Sequence, residues 1–150
     1  MLSQTLLVVS TAFDGRLSAR RVAATVAGGL QDGGWATELC PIDADRQGRA
    51  DGQAGAAVRA LLDALGFDAR MRSSRALVVC QCELHEDTLA GSAAFEIATR
   101  ARQAGVPAFA VTARNRLDSF DARILDLQAI VEAHSDRSLR TAGRTLARLV

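Results

Sequence analysis

The sequence has no lysine and no tyrosine. Its 18 basic side chains are all arginine, set against 17 Asp plus Glu in 150 residues, for a formal net charge of +1. Without lysine the chain cannot build a Walker-type phosphate loop, a Schiff base or the strand lysine of a protein kinase. A GC-rich coding sequence accounts for the arginine usage and for the 29 alanines. The small net charge names no nucleic-acid or membrane partner. Aromatics are scarce, with five Phe and one Trp. The core is therefore aliphatic and alanine-rich, which implies closely approaching helices. The interleaved aromatics of a single-strand binder are missing too. No apolar run approaches the roughly 18 residues of a membrane span. Three cysteines are an odd number, and Met1 to Val9 lacks a basic start and a cleavage site. The chain is expected to be cytoplasmic, with reduced thiols.

What is present alternates. Thr5–Val9 (TLLVV) reads as a strand buried on both faces. Ser18 caps a helix running to about Gln31, with Val22, Val26 and Leu30 inward, and Gly33-Gly34 ends it. Gly28, Gly29 and Gly33 end a helix instead of following a strand, so they are not a dinucleotide fingerprint. Trp35–Cys40 is a second strand, and Pro41–Gly55 a long polar loop. Ala56–Leu65 is a short helix closed by Gly66, and Ala76–Cys80 a third buried strand. A helix capped by Asp87 or Thr88 runs to Gln103, with Leu89, Ala93, Ile97 and Ala101 on one face. Ala108–Val111 is the fourth strand, Leu117–Leu125 holds a short helix, and Ala129–Glu132 is the fifth strand. The last helix starts near Asp136, with Arg137, Arg140, Arg144 and Arg148 on one face and Leu139, Ala142, Leu146 and Leu149 opposite.

This order predicts one domain with a three-layer α/β/α fold. Its sheet is mainly parallel, of about five strands, flavodoxin- or Rossmann-like, in the order 2-1-3-4-5. Ligands in such sheets bind beyond the carboxyl ends of the strands. Those ends are the loops Ser10–Leu17, Pro41–Gly55, Gln81–Glu86 and Thr112–Arg116.

Five segments resemble the bacterial two-lobed glycerate kinases. Ala12 to Ala19 (AFDGRLSA) is similar to that family's D-S-F-K-G-S-L-S-A, and Ala64 to Asp68 to its D-A-L-G-F-D. Ala76 to Gly91 is similar to A-D-L-V-I-T-G-E-G-R-L-D-x-Q-T-L-x-G-K, Ala104 to Pro107 to A-G-V-P, and Thr141 to Val150 to T-A-x-N-L-A-R-L-L. The resemblance implies the first lobe of such an enzyme, with the second lobe missing at Pro41–Gly55. The family's charged letters are altered. Its Asp stands at Thr11, its first Lys at Asp14 and its second at Ser92; its Glu stands at Gln81, its Arg at Glu83 and an Asp at His85. Its acidic glycine loop falls near Asp43–Gly48, where only scattered residues agree.

The expectation is then a degenerate single lobe without ordinary kinase activity, acting as a small-ligand-binding or interaction module. No cofactor is expected of it. The alternative is an active hydroxy-acid kinase using ATP and Mg²⁺, its cleft completed by a dimer mate or partner chain, with Arg16 or Arg114 replacing lysine. A second copy or partner would cover the missing-lobe surface. Expected ligand contacts are Thr11, Asp14, Gly15, Arg16, Asp43, Asp45, Gln81, Glu83, His85, Thr88, Gly91 and Arg114. The start of the helix after Thr88 is a candidate anion site. Asp43, Asp45 and Asp51 could hold Mg²⁺. Cys80, Cys82 and His85 are weak candidates for a metal or redox site, because Cys80 and Cys82 alternate onto one side of an extended strand end. His134 reads as surface decoration beside a helix cap.

Overall fold

A computed structural model describes residues 4–42 and 54–150, apart from the side chains at 54, 87 and 88. Five parallel strands form one sheet: β1 (Thr5–Ser10), β2 (Ala36–Pro41), β3 (Ala76–Cys80), β5 (Ala108–Thr112) and β7 (Ile130–Glu132). Their spatial order is β2-β1-β3-β5-β7, the expected flavodoxin-like order. A separate two-stranded parallel ribbon joins β4 (Glu83–Leu84) to β6 (Arg114–Asn115).

Strand side chains alternate between two cores. Leu6, Val8, Ala76, Val78, Cys80, Phe109 and Val111 meet α1 (Ala19–Asp32) and α7 (Asp136–Ala147) through Val22, Val26, Leu30, Leu139 and Leu146. Leu7, Val9, Leu77, Val79 and Ala110 face the other way. They meet α2 (Ala54–Ala64), α3 (Phe67–Arg72) and α5 (Ala93–Ala104) through Val58, Leu62, Phe67, Met71 and Ile97. The chain is thus a three-layer α/β/α sandwich. The short helices α4 (Glu86–Leu89) and α6 (Ser119–Leu125) lie beside α5, where Leu89, Ala98 and Leu125 form a small third cluster. No helix among the described residues is long and apolar enough to cross a membrane.

The close helix approach expected from the composition is at α1 and α7. A β-carbon built on Gly29 would lie 2.1 Å from the Arg140 carbonyl oxygen, and one on Gly143 would lie 2.2 Å from that of Val26. Backbone therefore meets backbone. The arginine face of α7 is partly tied down: Arg140 and Arg144 both donate to the Asp32 carboxylate, at 3.0 and 2.9 Å. Those two hydrogen bonds, Arg140's first, hold the Asp32 carboxyl down at about 2. A carboxyl depressed in the folded state contributes stability that is full above its unfolded value, about 3.9. That contribution fades as the pH falls through about 2. Asp32→Asn is expected to lower the melting temperature at pH 7. The gap to the native protein should close by pH 2, as thermal melts across that range would show.

On the other face of the sheet, Arg70 of α3 lies across the edge strand β2. Its guanidinium donates to Glu38 Oε1 at 2.8 Å, to the Leu39 carbonyl at 2.8 Å and to Cys40 Sγ at 3.4 Å.

Gly66 closes α2, with φ +63, and the chain turns straight into α3. Three expectations need correction. The helix from Asp87 or Thr88 to Gln103 is two helices, α4 and α5, broken at Gly91 with φ +83. A left-handed residue stops the first, and Ser92 restarts the second by accepting from the Phe95 amide at 3.1 Å. The loops Gln81–Glu86 and Thr112–Arg116 carry β4 and β6 and pair with each other. Finally, α7 ends at Ala147, so Leu149 is 54% exposed and not part of the inward face.

Candidate functional site

The sequence places β1, β3 and β5 side by side, so their carboxyl-end loops converge. The β1 loop is a tight turn. Phe13 and Leu17 exchange both backbone hydrogen bonds, at 2.8 and 3.2 Å, leaving Asp14, Gly15 and Arg16 at the tip. Asp14 takes φ +49, a left-handed conformation that aspartate tolerates better than most residues. Ser18 then caps α1 by accepting from the Arg21 amide at 3.1 Å, and the first turn of α1 holds no acidic residue.

The seam between the β3 and β5 loops is closed. The Cys82 carbonyl accepts from the Ala113 amide at 2.9 Å, the Arg114 amide at 3.1 Å and Thr112 Oγ1 at 3.0 Å. The Arg116 amide reaches the Leu84 carbonyl at 2.8 Å. The open space lies to one side, on the α1–α7 face. It is a cleft of about 560 Å³ lined by Phe13, Asp14, Arg16, Leu17, Ala113, Arg114 and His134. That volume falls in the range of small-molecule sites, about 300–1,000 Å³. Its floor is apolar (Phe13, Leu17, Ala113) and its rim carries Arg16, Arg114, His134 and one carboxylate, Asp14.

Arg114 Nη2 lies 3.7 Å from Asp14 Oδ1, and its Nε lies 3.4 Å from Glu83 Oε2. Arg116 Nε reaches the other Glu83 oxygen at 3.5 Å. Cys82 Sγ donates to Asp14 Oδ1 at 3.4 Å, and burial pushes the Cys82 thiol up.

Of the expected contacts, Asp14, Arg16 and Arg114 come together on this cleft, with Gly15 at the turn between the first two. Thr11 is buried and serves the sheet: its amide donates to the Cys80 carbonyl at 3.0 Å and its hydroxyl to the same oxygen at 3.4 Å. Gln81 is structural as well. Its Oε1 accepts from the Ala94 amide at 2.9 Å and its Nε2 donates to the Glu83 carbonyl at 3.0 Å. With Ser92, it occupies amides at the start of α5. The helix after Thr88 therefore does not present the expected bare anion site. Gly91 sits at the α4–α5 break, Glu83 behind the rim, and His85 just beyond β4, outside the cleft. The Thr88 side chain, Asp43, Asp45 and Asp51 lie outside the described residues, as does most of the Pro41–Gly55 loop.

Cys80 and Cys82 do share the α1–α7 side, but Cys80 is fully buried and burial pushes its thiol up to about 12. All three cysteines are free thiols. Among the described residues, one trio of metal-type side chains converges: Glu86, Asp118 and Asp121, without Cys80, Cys82 or His85.

His134, expected as surface decoration beside a helix cap, joins the lining of the cleft. It follows β7 by two residues and precedes the Ser135 cap of α7. The available signal was positional: it sits in a fifth carboxyl-end loop, which the strand order itself implied.

No family model matches the sequence, and no curated protein sequence matches it. Solved structures do match. An oxidoreductase from Corynebacterium diphtheriae is 15% identical, with TM-score 0.53, over 100% of this chain and 98% of that one. A pilus assembly-related protein from Burkholderia pseudomallei is 18% identical, with TM-score 0.52, over 96% and 89%. A flavodiiron protein from Giardia intestinalis is 14% identical, with TM-score 0.50, over 97% of this chain and 36% of that one.

These findings correct the glycerate-kinase expectation, since none of the three is a glycerate kinase and no family model supports it. The matching letters (Gly15, Leu17, Ser18, Gly105) shape turns, caps and packing in this structure, which report a fold and not a chemistry. The degenerate kinase lobe and the kinase alternative with ATP and Mg²⁺ are withdrawn with it. So is the thiol-sensor alternative. The expectation of no cofactor is corrected too: a flavodiiron protein is among the structures that share the fold.

Proposed function

We propose that this is a flavodoxin-like domain that binds a flavin nucleotide of the FMN type and serves oxidoreductase chemistry. The observation that supports it best is the position and chemistry of the cleft. It opens at the carboxyl end of the sheet among the loops after β1, β5 and β7, on the β3 side of β1, the side on which the 2-1-3-4-5 order places the switch point where such folds take FMN.

The residues fit the group in two respects. Arg16 and Arg114 form a cationic rim for a phosphate. Leu17 and Ala113, with the exposed sliver of Phe13, offer apolar lining against which a flat ring could rest. Trp35 cannot stack on that ring. It lies at the other end of β2, where its Nε1 donates to the Ala147 carbonyl at 3.1 Å. A bound flavin would supply the hydride or single-electron chemistry. The chain would hold it, orient it against the Phe13–Leu17 turn and keep water off its buried face. Three free thiols suit a reducing, cytoplasmic setting.

Titration of the purified protein with FMN, followed by quenching of flavin fluorescence, should reach saturation with a dissociation constant of about 10 μM or tighter, about 7 kcal/mol of binding. Absence of saturable quenching by about 1 mM, roughly 4 kcal/mol, overturns the reading.

A further inference from the structure

We propose that Arg114 is the residue through which the cleft selects ligand charge, separating a phosphomonoester from the same molecule without its phosphate. This rests on the flavin-nucleotide reading of the cleft. Arg114 opens β6, directly after β5, and its side chain is 45% exposed on the cleft rim. Three groups share its guanidinium: Glu83 Oε2 at 3.4 Å, Asp14 Oδ1 at 3.7 Å and Cys82 Sγ at 3.8 Å. Charge-assisted hydrogen bonds of good geometry run about 2.7–2.9 Å. Both carboxylate contacts are longer, and the third acceptor is a weak one, sulfur. The guanidinium is therefore held near the cleft by attraction from several sides and saturated by none.

A phosphate dianion offers oxygens that match the guanidinium fork bidentately, with more charge than one carboxylate. It would draw Arg114 off Asp14. The backbone beneath Arg114 does not yield, because its amide is bonded to the Cys82 carbonyl at 3.1 Å and β6 is paired to β4. The donor is thus mobile on a fixed base.

The opposite sign matters as much. Asp14 and Glu83 both sit close to this arginine and repel a phosphate. With Arg114 removed, Arg116 still pairs with Glu83 at 3.5 Å, and Arg16 is the guanidinium left on the rim to offset Asp14; among the described residues Arg16 makes no ion pair to fix its place. Selection should then collapse while the apolar floor still takes the ring. Asp14 acts in this arrangement as an internal anion that the phosphate displaces, so neutralising it should strengthen phosphate binding alone.

The test compares FMN with riboflavin, at fixed ionic strength, on the native protein and on Arg114→Gln, Asp14→Asn and Arg116→Gln. Arg116 shares Glu83 but does not line the cleft. The native protein should prefer FMN by about 30-fold or more, and Arg114→Gln should cut that ratio to about 3 or less with riboflavin affinity unchanged. Asp14→Asn should raise FMN affinity by about 3-fold and leave riboflavin alone, and Arg116→Gln should keep the native ratio. Unchanged riboflavin binding shows that each variant is folded. A ratio preserved in Arg114→Gln, or no preference in the native protein, overturns the proposal while leaving the flavin reading intact. If the native protein binds neither flavin, the flavin reading fails on its own. The charge-selecting role is then read with phenyl phosphate by phosphorus NMR. Line broadening by the native protein and not by Arg114→Gln sustains it, and no broadening by the native protein ends it.

Discussion

Gly29→Ala or Gly143→Ala should lower the free energy of unfolding by about 3 kcal/mol, seen as a shift of the urea midpoint. The added methyl group would stand 2.1 Å from the Arg140 carbonyl oxygen in the first case and 2.2 Å from the Val26 carbonyl oxygen in the second. Both obstacles are helix backbone, which cannot swing aside as a side chain can. Relief requires α1 and α7 to separate, and that opens the layer formed by Val22, Val26, Leu139 and Leu146. Gly28→Ala is the internal control. Its methyl group would meet only the Arg140 guanidinium, at 3.5 Å. That change should be neutral, or stabilise by up to about 1 kcal/mol through helix propensity. Equal loss at positions 28 and 29 would refute the close-approach account. The two positions face each other at one crossing, so the Gly29→Ala, Gly143→Ala double variant should lose less than the sum of the two single changes.

Phe13→Ala should cost a similar amount, about 3 kcal/mol, and should weaken flavin binding as well. Phe13 is 2% exposed and packs into the α1–α7 core, yet its outer edge lines the cleft. Its backbone also closes the turn with Leu17. Truncation leaves a void under that turn and loosens the tip that carries Asp14 and Arg16. Phe13→Leu keeps most of the volume and should cost about 1 kcal/mol. Circular dichroism melts and the FMN titration, run on the same samples, separate the two effects. A Phe13→Ala protein with native stability and unchanged FMN affinity would show that Phe13 supports neither.

Much of the fold was legible because its signals are local. Ser18 caps α1 and Gly105 stops α5 with φ +71, as their residue types require. The apolar strands β1, β3 and β5 announced burial on both faces, and buried parallel strands leave few topologies. The Gly91 break was masked by a period that runs through it: Leu89, Ala93, Ile97 and Ala101 keep a four-residue spacing across two separate helices, and all four are buried. The Gly91-Ser92 pair, a stop followed by a cap, was the better signal. The ribbon of β4 and β6 left no trace in the sequence, because two residues have no period and only the β3–β5 neighbourhood brings them together. The cleft followed the same logic. Two of the four expected loops supply it, and the third element, the turn holding His134, depends on where β7 ends. The letters of the β1 turn around Gly15 misled on kinship, since they serve its turn and the cap that follows.

Arg70 has a consequence for behaviour at high concentration. A bare outermost strand is a template on which another copy's strand can dock and a fibril can start. Here one guanidinium covers the Leu39 carbonyl and holds Glu38 beside it, so a cation stands where an incoming strand would pair. The far edge, β7, is only three residues long and ends on the exposed Glu132. The sheet is guarded at one border and curtailed at the other. Arg70→Ala should therefore shorten the lag of thioflavin-reported aggregation far more than it changes the midpoint of unfolding.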